Sequence, residues 1–498
     1  MPLFPHEEPM TLPAAVVAAL REVVGARLLT DPVDLVAYSY DGTFLVRRPA
    51  AVVLVESVEE VVAVVALAAR EGLHLLVRGS GTSLTGGPVP LEGDEVVLDL
   101  ARLNRLHIDP VDMTATVEAG VVTGDLARAA AEHGLFYPPD PASLAVSTIG
   151  GNLACNAGGP SGLKYGVTRD YLPALDVVLA PGRRVWLGSR TMKNASGYPL
   201  HHLFVGAEGT LGVIVRAVLK LLPRPASERT VLVGFASLEE AAASVTRVLG
   251  AGLLPAAIEL VDRVCLDAVA AYRPLDLPPD LEAVLLFRLD GHPAATAAEV
   301  EGVAAACREA GATLVRVAAS DAEADELWVT RRAISPALAR LRPNKLGEDI
   351  AVPRSAIVAM VRRIREISAA HRIPIATFGH ISDGNLHPNI LFDAADPDER
   401  ERMLGAAAAV VEAALDLGGL PSGEHGIGVL KRDFLPRAVD PVALDLMRRM
   451  KDLLDPQGIF GPGKVLPEEG APLTIGADEG RRRSPFRPAE EAWGEATR

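Results

Sequence analysis

Three glycine-rich segments in the first half of the chain set strong limits on its backbone: Arg78–Gly87, Ser147–Gly159 and Gly206–Ile214. Glycine lets the backbone approach a ligand closely, and successive amide groups in such turns form an anion-binding cradle. A single Gly/Ser loop is more often an ordinary surface turn. The spacing is not G-x-G-x-x-G and no P-loop G-K-[ST] is present, which argues against a Rossmann or kinase-type site. Together, the three segments predict a large ligand that lies extended against the main chain.

The order of predicted elements indicates two main domains, because 498 residues exceed what one ordinary core supports. After an N-terminal helical segment (1–46, with a helix at Ala14–Val24), strands and helices alternate through residues 47–225. Two further strand–helix units open residues 226–466, which predicts an α+β domain with an antiparallel sheet and helices on one face. Residues 467–498 are charged and proline-rich, so we expect a mobile tail.

Local signals give the boundaries of several elements in the first domain. Ser57 and Glu60 predict a capping box for a helix that ends at Gly72. Thr123 is predicted to cap a second helix, which Gly134 stops. The predicted strands are Val52–Val55, Leu73–Val77, Val96–Leu100, Ala115–Glu118 and a hairpin of Asp176–Leu179 with Val185–Leu187.

Residues 138–170 differ from the rest of the first domain. They are rich in small residues and show no helical or strand period over most of their length. A stretch this long without regular structure in a compact domain usually has a function or is ordered by a ligand. We therefore expect one of these roles for it.

Composition and charge exclude several functions. The formal net charge of -15 argues against nucleic acid or an anionic membrane as the main partner, although an anionic substrate would still need a local basic pocket. The three cysteines lie far apart without a C-x-x-C pair, so they do not form an iron–sulfur or cysteine–zinc site. The N-terminus lacks the pattern of a signal peptide, and the apolar runs are shorter than a membrane span. We expect a cytoplasmic protein, with any membrane association made through partners.

Two short glycine-bounded loops, Gly379–Asn389 and Ser422–Gly428, hold three of the eleven histidines together with a glutamate. Imidazoles and a carboxylate suit a divalent ion such as zinc or manganese. A lone histidine beside glycine more often satisfies a local turn, but that explanation is weaker for a group. The members of the group are His380, His387, Glu424 and His425.

A predicted helix carries a basic side chain suited to an anionic substrate. Arg331 and Ser335 are four residues apart, so a helix places both on one face. A guanidinium fork suits a carboxylate better than an ammonium group does. A solvated helix face is the plain alternative for both Arg331 and Lys345.

With these motifs in this order, residues 38–466 resemble the vanillyl-alcohol-oxidase (PCMH-type) flavoprotein superfamily. Within it, they are most similar to D-lactate and D-2-hydroxyglutarate dehydrogenases and glycolate oxidase subunits D. The resemblance implies an α+β fold: a PCMH-type FAD-binding domain of two α/β subdomains, then a C-terminal α+β substrate domain with an antiparallel sheet. Covalent members carry a histidine in or near the first loop; this loop has none, so we expect non-covalent FAD. The implied FAD contacts are Arg78, Gly79, Ser80, Gly81, Thr82, Ser83, Gly86, Gly87, Pro139, Asp140, Ser143, Ser147, Thr148, Gly151, Asn152, Ala154, Gly209, Val213 and Ile214.

The resemblance also implies roles for the two histidine loops. It assigns His380, His387 and Glu424 to a divalent metal and His425 to the catalytic base. Relatives commonly carry glycine where Ser382 stands, so the loop would sit differently if that position required a positive φ. The residues that match substrate-binding positions are Arg331, Ser335, Lys345 and Asn389.

The implied reaction is oxidation of a small D-2-hydroxy acid, such as D-lactate or glycolate, to the 2-oxo acid. Hydride would pass to flavin N5 while the metal and Arg331 orient the substrate and His425 takes the hydroxyl proton. Because the chain has no iron–sulfur cysteines, the electrons would leave to a quinone, a cytochrome, another partner protein or a dye. The resemblance is consistent with a homodimer or a multi-subunit complex.

Three other functions stay open at this point. A related FAD enzyme makes ether-lipid precursors by a non-redox exchange, and it shares the fold and a histidine-rich loop. An aromatic alcohol oxidase is a second alternative, although an aromatic content of 4% and the carboxylate-binding set weigh against it. The third is a flavin-bearing subunit of a multi-subunit glycolate oxidase that is inactive alone.

Overall fold

The structure, a computed structural model, describes residues 10–43 and 45–467. The predicted N-terminal helix is confirmed as α1 (Ala14–Val24). The predicted mobile tail lies, from residue 468 onward, outside the described residues. No helix within the described ranges is long and apolar enough to cross a membrane.

The first sheet leads directly into the first glycine-rich segment. Its elements are β1 (Leu28–Leu29), α2 (Pro32–Leu35), β2 (Ala51–Leu54), α3 (Val58–Glu71), β3 (Leu75–Arg78) and β4 (Val96–Asp99). Strands β2, β4 and β3 are parallel, and β1 pairs antiparallel at one edge. The Ser57 hydroxyl accepts the Glu60 amide at 3.2 Å, and Gly72 ends α3 in the left-handed conformation, as the sequence predicts. Strand β3 therefore delivers the chain into the glycine turn at a fixed position.

The second sheet is antiparallel and has the order β5-β6-β10-β8-β9. Its elements and the neighbouring two-stranded pair are β5 (Leu106–Asp109), β6 (Thr114–Glu118), α4 (Thr123–Glu132), β7 (Leu135–Phe136), β8 (Ala174–Leu179), β9 (Arg183–Gly188), β10 (Val213–Lys220) and β11 (Leu222–Pro223). The predicted hairpin is confirmed as β8 and β9, joined through Pro181-Gly182. Strand β10 continues from the third glycine-rich segment, so two of the three segments lie at strand ends.

Two predictions for this region are wrong. Thr123 is the first residue of α4 rather than its cap, because its hydroxyl donates to the Ser147 carbonyl at 3.0 Å and accepts the Asn152 amide group at 2.7 Å. The stretch 138–170 also contains two short helices, α5 (Ile149–Cys155) and α6 (Gly162–Tyr165). Seven and four residues are too few to produce a readable period, which explains the failure.

The third sheet confirms the antiparallel prediction, with the order β15-β12-β14-β13-β18-β19-β16 and β17 paired to β19. Its elements are β12 (Ser227–Phe235), α7 (Leu238–Gly250), β13 (Ala257–Asp262), α8 (Arg263–Tyr272), β14 (Ala283–Gly291), α9 (Pro293–Glu309), β15 (Leu314–Val317), α10 (Asp321–Arg332), α11 (Ile334–Leu341), β16 (Asn344–Gly347), β17 (Ile350–Ala351), α12 (Ile357–His371), β18 (Ile375–His380), β19 (Asn385–Phe392) and α13 (Pro397–Asp416). The prediction of helices on one face is wrong. Helices α7, α9, α12 and α13 pack on one face, and α8, α10 and α11 pack on the other. The central strands are apolar on both faces, so each face needs a cover.

The end of the described chain returns to the first sheet. After α14 (Leu435–Ala438) and α15 (Pro441–Leu454), the Leu75 amide donates to the Ile459 carbonyl at 2.7 Å, and Phe460 is fully buried in the core beside α3. The two halves of the chain are thus packed together.

Candidate active site

The three glycine-rich segments meet along one open cleft, which we call the cofactor cleft. A Cβ atom added to Gly79 would lie 2.2 Å from Thr148 Oγ1, so the first two segments touch and only glycine fits there. His425 and Glu424 of the second histidine loop also line this cleft. Among the residues expected to contact FAD, those in the lining are Gly79, Ser80, Gly81, Thr82, Ser83, Gly87, Ser143, Thr148, Gly151, Asn152, Ala154, Gly209 and Ile214.

Other residues expected to contact FAD lie behind this lining. Arg78 is buried, its guanidinium donates to the Tyr40 carbonyl at 2.9 Å, and burial lowers its pKa. Asp140 forms an ion pair with Arg288 at 2.8 Å, which joins the stretch 138–170 to β14. The remaining residues outside the lining are Gly86, Pro139, Ser147 and Val213.

The cleft lining also contains residues that the sequence did not single out. Most are small or apolar neighbours of predicted residues, and Glu208 is the one acidic side chain that the first domain contributes to the described lining. For those inside the glycine-rich segments, adjacency to predicted residues was the available signal. They include Leu84, Pro88, Pro141, Ala142, Gly150, Cys155, Ala157, Phe204, Ala207 and Glu208.

This lining fits an extended cofactor of the FAD type. Glycines at close contacts leave the main chain open to a ligand, as Gly79 does. Hydroxyls such as Ser83 and Thr148 stand among apolar side chains such as Phe204 and Ile214. A cofactor with a polar phosphate section and apolar rings needs this mixture.

Four side chains converge at one end of the cleft, and we call them the histidine cluster: His380, His387, Glu424 and His425. His380 ends β18 and His387 lies in the adjacent β19, so the strand pairing sets them side by side. Glu424 Oε1 lies 3.1 Å from His380 Nε2 and 3.4 Å from His387 Nε2. The sequence-predicted ligands are therefore together in space.

A buried carboxylate on β13, Glu259, joins two of the predicted site residues. Its Oε1 lies 2.5 Å from His380 Nδ1, and its Oε2 accepts Arg331 Nε at 2.7 Å. Burial alone would raise the pKa of Glu259, but the charges of His380 and Arg331 hold it down, at about 2. Burial also opposes the charged form of His380, yet the carboxylates of Glu259 and Glu424 keep its pKa well above the ordinary value. No sequence signal pointed to Glu259, because it lies inside an apolar strand.

A second buried carboxylate, Asp349, organises the loop that carries Glu424 and His425. Its Oδ2 accepts the Ser422 hydroxyl at 2.7 Å and the amides of Gly423, Glu424 and His425 at 2.9, 3.0 and 2.9 Å. Charges and hydrogen bonds outweigh burial and hold the pKa of Asp349 well below its ordinary value. This aspartate was also missed in the sequence, since it is separated from the loop by more than seventy residues.

Among the described residues, two sets of three side chains bring their ligand atoms close enough for one ion, and they share His387. The first is His380, His387 and Glu424, and the second replaces His380 and Glu424 by Asp349 and His425. In the second set, Asp349 is already occupied, because Oδ2 accepts four hydrogen bonds and Oδ1 accepts one from an amide side chain at 2.6 Å. The first set offers two Nε2 atoms and a carboxylate oxygen, which suit a divalent cation. Its residues therefore fit a metal.

The four residues matched to substrate-binding positions divide into three groups. Arg331 lies over the Phe378 ring at 4.4 Å and, within the described residues, its two terminal nitrogens have no hydrogen-bond partner. Lys345 Nζ donates to Ser335 Oγ at 2.5 Å, and burial lowers the pKa of this lysine. Asn389 donates to the His387 carbonyl at 2.8 Å. Arg331 is thus held at one nitrogen and leaves the outer edge of its fork available.

His425 lies where the histidine cluster meets the cofactor cleft. Its ring stacks on that of His387, with 5.2 Å between the ring centroids. Burial lowers the pKa of His425 to about 4, against the opposing charge of Asp349. Ser382, where a positive φ was a concern, is buried and lies outside the left-handed region. A serine fits this position without backbone strain.

Comparison with known proteins gives consistent matches over almost the whole described chain. Residues 49–188 match the family described as FAD binding domain, and residues 224–465 match FAD linked oxidases, C-terminal domain. The glycolate oxidase subunit GlcD of Bacillus subtilis (strain 168) is 41% identical over 433 residues, which cover 87% of this chain and 92% of that protein. A D-lactate dehydrogenase of Anaerostipes hadrus is 35% identical, over 84% of this chain and 90% of its own length. A D-2-hydroxyglutarate dehydrogenase of Xanthomonas citri pv. viticola is 36% identical, over 93% and 99%.

Solved structures agree on the fold. A p-cresol methylhydroxylase with substrate bound aligns with a TM-score of 0.76 and 17% identity, over 91% of this chain and 96% of its own. An alkyldihydroxyacetonephosphate synthase aligns with a TM-score of 0.73 and 18% identity, over 92% and 87%. At these identities the likeness concerns the fold alone, and it confirms the PCMH-type architecture expected from the sequence.

Proposed function

The chain belongs to the family of FAD-linked oxidases, and from this premise we propose that it oxidises a small D-2-hydroxy acid, such as D-lactate or glycolate, to the 2-oxo acid. One observation carries the proposal: the guanidinium of Arg331 and His380, a member of the metal-type ligand set, are held by the same carboxylate, Glu259. A 2-hydroxy acid presents a carboxylate and a hydroxyl on adjacent carbons. The site offers a partner for each.

The cofactor cleft would hold FAD through its glycine-rich lining, with no covalent link from the first loop. When bound, FAD supplies the two-electron acceptor for oxidation of an alcohol. The chain contributes binding and orientation. Glycines such as Gly79 and Gly151 admit the cofactor to the main chain, and the Thr148 and Ser83 hydroxyls offer polar contacts.

His380, His387 and Glu424 would hold a divalent ion, zinc or manganese. When bound, such an ion polarises a hydroxyl oxygen and makes its proton more acidic. Glu259 accepts from His380 Nδ1, which directs Nε2 at Glu424, and a bound ion would take the place of the proton on Nε2. The carboxylate therefore fixes the ring in the orientation that a metal ligand requires.

His425 is the residue we assign as general base. It borders the cofactor cleft, whereas His380 and His387 are buried with side-chain exposures of 5% and 7%. Its ring lies against His387, so it is close to the proposed metal without belonging to the favoured ligand set. It would accept the substrate hydroxyl proton as the alcohol carbon is oxidised.

Arg331 would bind the substrate carboxylate, because its fork has a fixed orientation and an outer edge that is available to a ligand. Ser335, Lys345 and Asn389 would complete the polar wall around the substrate. The Lys345–Ser335 hydrogen bond supports this, since it places a second cation beside the helix that carries Ser335, directly after the helix of Arg331.

A second candidate function is that of a flavin-bearing subunit that works only in a larger assembly. The relative of highest identity given above is named as an oxidase subunit, which favours this candidate. The acceptor in either case would be a quinone, a cytochrome or another partner protein.

A dye-linked assay of the purified chain tests the proposal and separates the two candidates. D-lactate, glycolate, D-2-hydroxyglutarate and D-malate are supplied with an artificial acceptor, and the 2-oxo product is identified. Turnover by the chain alone supports an independent dehydrogenase. Turnover that appears only after co-expression with the other subunits of such an assembly supports the second candidate. Conversion of none of the acids in either case contradicts the proposal.

A further inference from the structure

The loop that carries Glu424 and His425 has no helix or strand, yet its backbone amides are hydrogen-bonded to side chains. Residues 421–427 contain only bends and irregular backbone, and a turn begins at Gly428. Every amide from residue 423 to residue 428 nevertheless donates to a side-chain oxygen. Asp349 takes the first three, Ser422 Oγ takes the fourth, and Glu208 takes the last two. A loop of this kind is as rigid as the side chains that hold it.

Glu208 comes from the other half of the chain, in the third glycine-rich segment. Its Oε1 accepts the amide of Ile427 at 2.6 Å and that of Gly428 at 3.1 Å, and its Oε2 accepts Gly428 at 2.9 Å. Burial raises the pKa of this carboxylate, and the amide hydrogen bonds oppose that shift. The same side chain lines the cofactor cleft. Glu208 therefore contacts both the cofactor cleft and the loop of residues 421–428, which carries Glu424 and His425 and which we call the base loop.

The backbone at Glu208 and at its partners is specialised for this contact. Glu208 has φ of +50°, a conformation that L-residues other than Asn and Asp rarely adopt. A Cβ atom on Gly426, where φ is +92°, would lie 2.9 Å from the Glu208 carboxyl carbon. Strain of this type is kept only where the surroundings enforce it, and it concentrates at functional sites.

The first glycine-rich segment holds the same turn from a second side. The Thr85 carbonyl accepts the amide of Val429 at 2.8 Å, and a Cβ atom on Gly428 would lie 2.2 Å from that carbonyl oxygen. The first and third glycine-rich segments thus both contact the chain within four residues of His425. These contacts fix the base loop relative to the cofactor cleft.

We propose that Glu208 is a positioning residue for the reaction: it sets the place of His425 relative to the bound cofactor by accepting hydrogen bonds from the last two amides of the base loop, those of Ile427 and Gly428. This rests on the proposed function, in which His425 acts as the base. The cofactor cradle and the base come from different domains, so their relative position depends on contacts of this kind. Displacement of a catalytic group by about 1 Å costs on the order of 10²-fold in rate.

The test compares Glu208→Gln and Glu208→Ala with a matched control, Glu95→Gln. In Glu208→Gln the side-chain amide would keep one acceptor oxygen but aim an N–H at a backbone N–H, so part of this hydrogen bonding is lost without a change of size. Glu95 is also a buried glutamate in the first domain, and it accepts the amides of Leu91 and Gly93 at 2.6 and 2.7 Å outside the cofactor cleft. Its variant controls for the loss of a buried carboxylate that holds a turn.

Two readouts are taken on the FAD-loaded protein. The first is kcat and KM for the best 2-hydroxy acid, and the second is amide hydrogen exchange in residues 426–430. We expect Glu208→Gln to lower kcat by roughly 10- to 100-fold with KM and FAD content near wild type, and to speed exchange in this segment. Glu208→Ala should be more severe in both readouts. Glu95→Gln should leave kcat and exchange in this segment unchanged.

Each result bears on the proposal. Wild-type kcat in Glu208→Gln overturns it, and so does unchanged exchange in residues 426–430. If Glu208→Ala does not fold, the Gln variant still decides, because it preserves volume. If wild-type protein oxidises no 2-hydroxy acid while Glu208→Gln still speeds exchange, the proposed function fails and the hold of Glu208 on the base loop is supported.

Discussion

His380 and Arg331 are joined through the two oxygens of one carboxylate, because Glu259 lies 2.5 Å from His380 Nδ1 and 2.7 Å from Arg331 Nε. The carboxylate is fully buried on β13. One side chain thus orients both the proposed metal ligand and the proposed substrate cation. A substitution of this carboxylate should therefore affect both the proposed metal site and the proposed substrate site.

We predict that Glu259→Gln weakens metal binding and raises KM together. The amide removes the negative charge that faces both His380 and Arg331, and it would also direct an N–H at one of them, so both partners are held less firmly. Loss of such a supporting hydrogen bond typically lowers metal affinity about 10- to 100-fold. Metal titration and steady-state kinetics check this, with the exposed Glu240→Gln as a control. Unchanged metal affinity and KM would show that Glu259 serves only folding.

We predict that Arg331→Lys lowers kcat/KM for the hydroxy acid and leaves FAD content intact. A lysine cannot make a two-pronged carboxylate contact, and the substrate charge is left partly unpaired. The loss should be on the order of 2–4 kcal/mol, or roughly 30- to 900-fold. The neighbouring Arg332→Lys is the control, because Arg332 donates instead to the Asp325 carbonyl at 3.4 Å. Wild-type kinetics in Arg331→Lys would remove it from the substrate site.

We predict different consequences for the two kinds of histidine. His380→Ala should lose both metal and activity, because it removes one of three ligands. His425→Ala should keep the metal and lose turnover by roughly 10²–10⁴-fold, the usual contribution of a general base. Elemental analysis beside kinetics on both variants distinguishes these roles. Protein without detectable metal that turns over at the normal rate would show that the cluster is structural.

We predict that the flavin is bound without a covalent link and is released on acid or heat denaturation. The first glycine-rich loop contains no histidine. Cys155 does line the cofactor cleft, but burial raises the pKa of its thiol, so the reactive thiolate is disfavoured. Separation of supernatant and pellet after denaturation, followed by absorbance, provides the measurement. Flavin retained on the polypeptide would contradict the prediction.

Local signals in the sequence were sufficient for much of the fold. Ser57 and Gly72 delimit α3 because a cap and a left-handed glycine act within one turn. Thr123 failed as a cap because its hydroxyl is used by Ser147 and Asn152, which lie more than twenty residues away. The short α5 was missed because seven residues hold no readable period. Errors of this kind arise where tertiary contacts replace local preference.

The same distinction applies to the site. The histidine cluster was readable because its members lie in two short segments with conspicuous glycines, although the first segment forms the end of β18, a turn and the start of β19 rather than the predicted loop. Glu259 and Asp349 were not, since each is a single carboxylate without a motif around it and with partners that are distant in sequence. Glu208 lies in the third glycine-rich segment, but nothing in that segment indicated its contact with Ile427 and Gly428, which are more than two hundred positions away. The site residues that these carboxylates hold were predicted from the sequence. The contacts between the carboxylates and those residues are apparent only in the three-dimensional structure.

Anaerobic flavin reduction tests the central claim most directly, because it needs no electron acceptor and no partner. The purified FAD-loaded chain is mixed with D-lactate, glycolate, D-2-hydroxyglutarate or D-malate in the absence of oxygen, and the flavin absorbance is followed. We predict that at least one of these acids bleaches the flavin, and that the same acid carrying deuterium at C2 does so more slowly. A flavin that stays oxidised with every acid on the panel would contradict the account.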